Sequence, residues 1–429
     1  MRLTGLPPSS SNCPVDFRPA HQTRVVRATG LIVLLAVLAV PERLLALESI
    51  LLEARDSYVV SSRMEFLKDG SGTVDFEQAR LSPDWQASRL AAPAFDFEQK
   101  AYWFRFRLEN RNDRAEELLL ELGFPQHDYV DLYVENSPEP LYQTGALRPA
   151  SSRPLYHPRF VFPLTVEPHA SLTIYMRIEN EGKLSAPVPL TLWQATAMAR
   201  RDAVRNVFIS LLVGGSVLMG LYNFTMFFVL RDRSFAYFAI YLTVGLLFFA
   251  GYEGYLSLLV FPDTPIAARI SQPIAIDVSM IFLVLFTLEY LETARHLPRL
   301  HRAAVVLVVL LGIHLVISPF VLVATSIAIV QPLLVVATLL LSLLGTASLF
   351  QGNRAARFYM LAEALFLLGA LIFIAKRNGH IAVERLYRKR AARRRARRDP
   401  FVLAGSCRSH QYAAPGTRSR AKTRAERAF

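Results

Sequence analysis

Cysteine is almost absent from the 429 residues: Cys13 and Cys407 are the only two. Neither lies between residues 48 and 376, so no disulfide staples that stretch and its core has to be built by packing. Neither has metal-ligating neighbours. Walker loops, His-Glu-x-x-His and paired-cysteine zinc patterns are also missing, so the sequence names no metal site, no cofactor and no catalytic residue. Ser216 and His314 do not rescue a hydrolase reading, because Ser216 has no Gly-x-Ser-x-Gly context. Charge is the second scarcity. It is plentiful from residue 48 to 205, nearly vanishes in several runs between 207 and 374, and then returns. Apolar runs of about 18 or more residues are what a ~30 Å hydrocarbon layer requires.

The formal charge of +13 is not spread along the chain. Residues 376–429 hold 17 Lys/Arg against 3 Asp/Glu, so that segment alone carries +14. The remainder is nearly neutral, and a nucleic-acid partner for the whole protein has no basis in its charge.

Residues 1–47 read as a signal-peptide region. Arg24 and Arg27 precede the apolar run 31–40, Pro41 breaks it, and Leu44, Leu45 and Ala46 follow. A basic start with a short apolar run suits an export signal better than a full span. Cleaved near Ala46 or kept as an anchor, it places the next segment outside the cytoplasm.

Residues 48–195 alternate with period two, the mark of half-buried strands. Phe104, Phe106 and Leu108 share one face, while Trp103, Arg105 and Arg107 share the other. Val130, Leu132 and Val134 oppose Tyr129, Asp131 and Tyr133, and Ile174, Met176 and Ile178 oppose Tyr175, Arg177 and Glu179. Phe160, Phe162, Leu164 and Val166 make a fourth apolar face. Turn-forming clusters at 110–113, 137–140 and 181–182 separate the runs, which predicts an antiparallel sandwich. The outward set Trp103, Arg105, Arg107, Tyr129, Tyr133, Tyr175 and Arg177 is unusually aromatic and cationic. Flat rings beside directional donors suit a sugar or another small polar ligand. The competing expectation is that loops cover the rings or that they sit on a mixed surface; strand register decides.

Six candidate spans follow: 206–230, 235–261, 273–291, 303–320, 323–350 and 358–375. With the sandwich outside, cytoplasmic loops hold Arg231 and Arg233, then Arg295, Arg299 and Arg302, then Arg354 and Arg357. The outer loops hold Arg269, in keeping with the positive-inside rule. Arg200, Arg201 and Arg205 run against it. Ionisable groups within spans default to a functional role. Glu253 and Asp277 fall toward the outer leaflet, Glu289 and Glu363 toward the inner, and His314 between. The plainer expectation pairs Glu289 and Glu363 with Arg357 or Arg295 at the cytoplasmic rim, and leaves Glu253 and Asp277 with no basic partner except Arg269. The matched broken helices of many transporters are not found.

Together these segments resemble a known family. The run from Leu221-Tyr-Asn-Phe through Arg231-Asp-Arg-Ser-Phe, then Gly251-Tyr-Glu-Gly-Tyr, Phe261-Pro and Arg357-Phe-Tyr-Met-Leu-Ala-Glu, is similar to bacterial seven-transmembrane receptors with diverse intracellular signalling modules. Ala101-Tyr-Trp-Phe-Arg-Phe-Arg-Leu-Glu-Asn, Phe160-Val-Phe-Pro-Leu and Tyr175-Met-Arg-Ile-Glu-Asn look like that family's second type of extracellular domain, a jelly-roll sandwich resembling carbohydrate-binding modules. The resemblance spans roughly residues 60–378. The fold class expected is a membrane protein, an all-β jelly-roll-like sandwich (48–195) followed by an all-α transmembrane bundle of about six helices (206–376). The resemblance implies a bacterial inner-membrane sensor with its N-terminal domain in the periplasm. Its ligand would be a small molecule or carbohydrate, read out by a cytoplasmic kinase or cyclase, with a homodimer or separate signalling partner.

Two departures stand beside the resemblance: neither a seventh span nor an output module is legible. Residues 377–429 are Arg- and Ala-rich and read as disordered. Six spans would also leave this basic tail on the outer face. A frameshifted or truncated end of a longer receptor is the favoured expectation. A cytoplasmic segment binding anionic lipid headgroups is second, and a nucleic-acid arm is weakest. A transporter or permease with Glu253, Asp277 and Glu363 as coupling carboxylates, and a membrane scaffold, are the alternatives to a receptor.

Overall fold

The computed structural model describes residues 47–377, apart from residues 54, 89, 91, 92, 97–99 and 182–184. Residues 1–46 of the signal region, both cysteines and the basic tail lie outside the described residues.

Alternation becomes a two-sheet sandwich. The larger, seven-stranded sheet runs β4 (Gln86–Ala87), β3 (Glu65–Asp69), β6 (Ala101–Asn110), β11 (Ser171–Glu179), β8 (Tyr129–Val134) and β9 (Tyr142–Thr144), with β1 (Ser49–Leu52) parallel beside the far half of β6. The four-stranded sheet runs β10 (Phe160–Val166), β7 (Glu116–Leu122), β13 (Leu190–Gln194) and β2 (Ser57–Val59), all antiparallel. A small third sheet pairs β5 (Ala94–Asp96) with β12 (Ser185–Pro187). Phe104, Phe106, Leu132, Ile174 and Met176 of the first sheet and Leu120, Leu122, Phe160, Phe162 and Leu192 of the second share one buried cluster. Each such side chain contributes about 1.5–3 kcal/mol by leaving water. The expected inward faces are therefore the core.

β13 runs without a break into a helix of 36 residues; with α1 (Phe76–Leu81) lying over the larger sheet, this is α2 (Ala195–Leu230). At 1.5 Å per residue it measures about 54 Å, well beyond a hydrocarbon layer of ~30 Å. Its first turns pack on the sandwich, where Ala197 and Met198 are buried. α3 (Arg233–Tyr252), α4 (Tyr255–Leu259), α5 (Pro265–Tyr290), α6 (Thr293–His296), α7 (Pro298–Ile317), α8 (Val323–Phe350) and α9 (Arg354–Arg377) follow. Five helices among the described residues are long and apolar enough to cross a membrane: α2, α3, α5, α7 with the turn Ser318–Phe320, and α8. α9 covers the segment expected as a sixth span and is not one of those five. α5 is the hub, packed on α3, α7 and α8, whereas α2 and α9 flank the row and expose apolar side chains where lipid would lie.

Span boundaries needed correction. The stretch 235–261 is not one helix: α3 stops at Tyr252, and Gly254 turns the chain at φ +87°, where a Cβ would overlap the Pro158 carbonyl. Leu256, Leu258, Leu259, Val260 and Phe261 keep hydropathy high beyond that turn, which hid it.

Candidate functional site

Register aligns the outward residues of the larger sheet into two rows. Arg177 lies between Trp103 and Asp131, and Tyr175 between Arg105 and Tyr133. Leu67 and Glu65 of β3 extend these rows past Trp103 and Arg105. The rows are covered. Phe76 of α1 stacks on Tyr133 at 5.1 Å and meets Tyr175 edge-on at 5.3 Å, while Trp85 meets Tyr175 at 6.1 Å. Trp103 is 0% exposed and Tyr175 4%. Burial pushes the Tyr133 and Tyr175 hydroxyls above the ordinary phenol range.

The cations of the face are committed too. Arg105 pairs with Glu65 at 2.7 Å and lies 4.3 Å over the Trp85 ring. Arg177 donates to the Gly72 carbonyl at 2.9 Å and pairs with Glu179 at 2.8 Å. The cover is locally stable because Asp75 and Gln78 form a reciprocal capping box at the start of α1. Asp69 also accepts the backbone N–H groups of Gly72 and Val74. Of the two expectations the covered one holds: the rings form a small second core beneath Phe76 and Trp85. Arg107, bonded to the Ser171 hydroxyl at 2.8 Å, and Tyr129, 5.3 Å beneath Arg148, lie outside that cluster.

The intramembrane carboxylates also find other partners. Glu253 lies 3.5 Å from Arg159 and 4.0 Å from Arg205, at the foot of the sandwich. Asp277 meets His314 at 2.8 Å. Glu363 accepts a hydrogen bond from Ser342, and Glu289 is exposed with no ion pair among the described residues. The rim pairing with Arg357 or Arg295 is not formed: Arg295 turns to Glu292 at 3.2 Å, because the α5–α6 corner brings Glu292 within its reach. Arg269 is taken by Asp128 of the sandwich.

These contacts belong to a polar seam between sandwich and bundle that no sequence motif announced. Glu121 of β7, 2% exposed, accepts from Arg201 of α2, from Arg159 at 3.0 Å and from the Trp193 indole N–H at 2.9 Å. Burial alone would raise its pKa; the hydrogen bonds and charge of Arg201, then those of Arg159, hold it below the usual carboxylate range. Gln126 donates to the Gly251 carbonyl and accepts from Gln272, each at 2.8 Å, and Arg153 donates to the Ser257 hydroxyl at 3.1 Å. Burial lowers the Arg153 pKa to about 10. Beside Asp128, the imidazole of His127 is 0% exposed; Nε2–H donates to the Pro187 carbonyl and Nδ1 accepts from Asn180, each at 3.1 Å. Burial pushes its pKa down to about 4. One signal had pointed here. Arg200, Arg201 and Arg205, which run against the positive-inside rule, answer to Asp56, Glu121 and Glu253 of the seam.

A sandwich fixed by buried ion pairs to the outer end of a polytopic bundle defines a multi-pass membrane protein with an extracellular N-terminal domain. Residues 61–194 match the family model described as 7TMR-DISM extracellular 2, and residues 205–391 match that described as 7TM diverse intracellular signalling. The chain belongs to this family of seven-transmembrane receptors, in which an extracellular sensory domain is joined to intracellular signalling. The second match runs past α9 into the basic segment. No curated protein matches the chain.

Proposed function

We propose that this chain is the sensory part of a non-enzymatic receptor of the bacterial inner membrane. Its sandwich stands in the periplasm, reads a small polar ligand such as a carbohydrate, and passes the ligand state through the helices to a cytoplasmic signalling partner or a second copy. The seam carries this reading. Glu121 grips Arg201 of α2, and Asp128 grips Arg269 of α5, so any shift of the sandwich biases two membrane helices at once. The ligand surface is the face of β6, β8 and β11. Trp103, Tyr133 and Tyr175 offer stacking area, Arg105 and Arg177 offer directional donors, and Arg107 and Tyr129 stand at its margin. Phe76 and Trp85 occupy that surface, so a saccharide would bind by displacing them. The reading calls for no cofactor and no nucleic acid.

The permease alternative is weaker, because Glu253, Asp277 and Glu363 have no partner in common and Glu253 is spent in the seam. Full-length protein in lipid nanodiscs, titrated with neutral oligosaccharides and small anions, tests the proposal. Saturable binding should release amide protection in residues 70–88. A ligand that binds and leaves those amides as protected as before would place recognition elsewhere.

A further inference from the structure

Inside the bundle, away from the seam and the covered sheet, three helices build one polar cluster. His314 of α7 sets Nδ1 2.8 and 3.0 Å from the two carboxylate oxygens of Asp277 on α5. Its Nε2 lies 3.1 Å from the backbone carbonyl of Ser326 on α8 and 3.2 Å from the hydroxyl of the same residue. Asp277 and Ser326 are 0% exposed and His314 4%. Few other ionisable groups face them. α8 carries none, nor does the turn Ser318–Phe320. α7 has Arg299, His301 and Arg302 at its opposite end, and α3 and α4 offer the phenols Tyr237, Tyr241, Tyr252 and Tyr255, with Glu253 at the α3 cap. On α5 itself, Glu289 lies toward the far end, and Arg269 lies about 12 Å along the axis in the other direction, engaged by Asp128.

The two contacts at Nε2 demand different protons. A carbonyl oxygen only accepts, so the contact to the Ser326 carbonyl needs Nε2–H. A carboxylate against Nδ1 needs one further proton between them. That state holds two protons and has no net charge. When the Nε2 proton leaves to water, the Nε2 lone pair accepts from the Ser326 hydroxyl, while Asp277 keeps its bond to Nδ1–H. The cluster then carries one net negative charge. Because the two oxygens of Ser326 are almost equidistant from Nε2, the exchange needs no movement of heavy atoms. The order Asp-His-Ser also occurs in hydrolases, but with Ser326 buried no substrate reaches its hydroxyl.

We infer that Asp277, His314 and Ser326 form a binding site for one exchangeable proton, which selects the group of α8 to which α7 is tied. Ser326 lies within the first turn of α8. The site stands on the geometry of the bundle and does not depend on which ligand the sandwich takes.

Full-length protein with 15N-labelled histidine in lipid nanodiscs provides the test, with the His314 signal assigned by its loss in His314→Gln. Across the pH range in which the protein stays folded, the Nε2 signal should pass from the protonated to the unprotonated type. In Ser326→Ala the unprotonated state loses its donor, so the midpoint should rise by about one pH unit, a tenfold change in proton affinity. Thermal unfolding supplies a second reading that needs no assignment. Ser326→Ala should melt like the parent on the acid side of the midpoint and increasingly earlier on the alkaline side. A His314 that keeps its Nε2 proton throughout, or a Ser326→Ala melting difference that is constant with pH, would overturn the proposal and leave a fixed structural hydrogen bond.

Discussion

Glu121 concentrates more of the seam than any other side chain, since two guanidinium groups and an indole converge on it. Removing one member of a buried ion pair costs about 3–5 kcal/mol. Arg159 and Arg201 keep 22% and 27% of their side-chain exposure, which points to the lower end. Glu121→Ala should therefore lower the stability of the solubilised chain by about 3 kcal/mol in denaturant titrations followed by tryptophan fluorescence. The pH dependence can be signed. Glu121 has its folded pKa below 4.5, so its contribution is full above that value and is lost as pH falls through the folded pKa. His127 acts in an adjoining window. Its folded pKa is about 4 against 6.5 for the free side chain, so stability is complete above 6.5 and declines from there to about 4, where the unfolded chain takes up a proton that the folded one refuses. His127→Gln should flatten the melting profile between those values. The period-two reading did not take in the strand that holds Glu121, whose face lies opposite Leu118, Leu120 and Leu122. Nor did it show that a helix 80 residues later would close over that face.

At the scale of elements, α1 and α2 carry the largest surprises. α1 spans six residues, too few for a helical period to register, yet it decides whether the aromatic face is open. Phe76→Ala should cost about 3 kcal/mol, as for other buried aromatics, and expose Tyr133 and Tyr175 to solvent. On the proposed function it should also tighten ligand binding, which calorimetry on the same variant would report. The first span is expected from residue 206, where apolar residues begin, and the helix that carries it starts earlier, at Ala195, with charged turns that clasp the sandwich. One residue inserted between Asp202 and Ala203 would turn the remainder by about 100°. Arg201 would then keep Glu121 while Arg205 is carried away from Tyr255 and Glu253. Faster amide exchange around Tyr255–Leu259 should follow, with the β-sandwich amides unchanged.

For the whole molecule, topology was the most legible property. Long apolar runs and arginine placement depend on local composition, and five spans emerge on the expected segments. Side-chain partners across the domain junction depend on register and tertiary packing, which no single segment encodes. In a background with Cys13 and Cys407 replaced by Ser, a cysteine at Ser137 should react with an impermeant maleimide in intact spheroplasts. One at Arg299 should react only after lysis, and the reverse pattern would invert the assigned orientation.

The unbroken passage of α2 out of the sandwich also has a mechanical meaning. Residues 206–230 form a stiff arm of about 37 Å below the last seam contact. With Arg205 as fulcrum, a tilt of roughly 5° at the sandwich would sweep the cytoplasmic end by about 3 Å, close to the scale of known interface helix shifts. Because the helix has no joint at the membrane surface, sensor displacement is magnified there rather than absorbed.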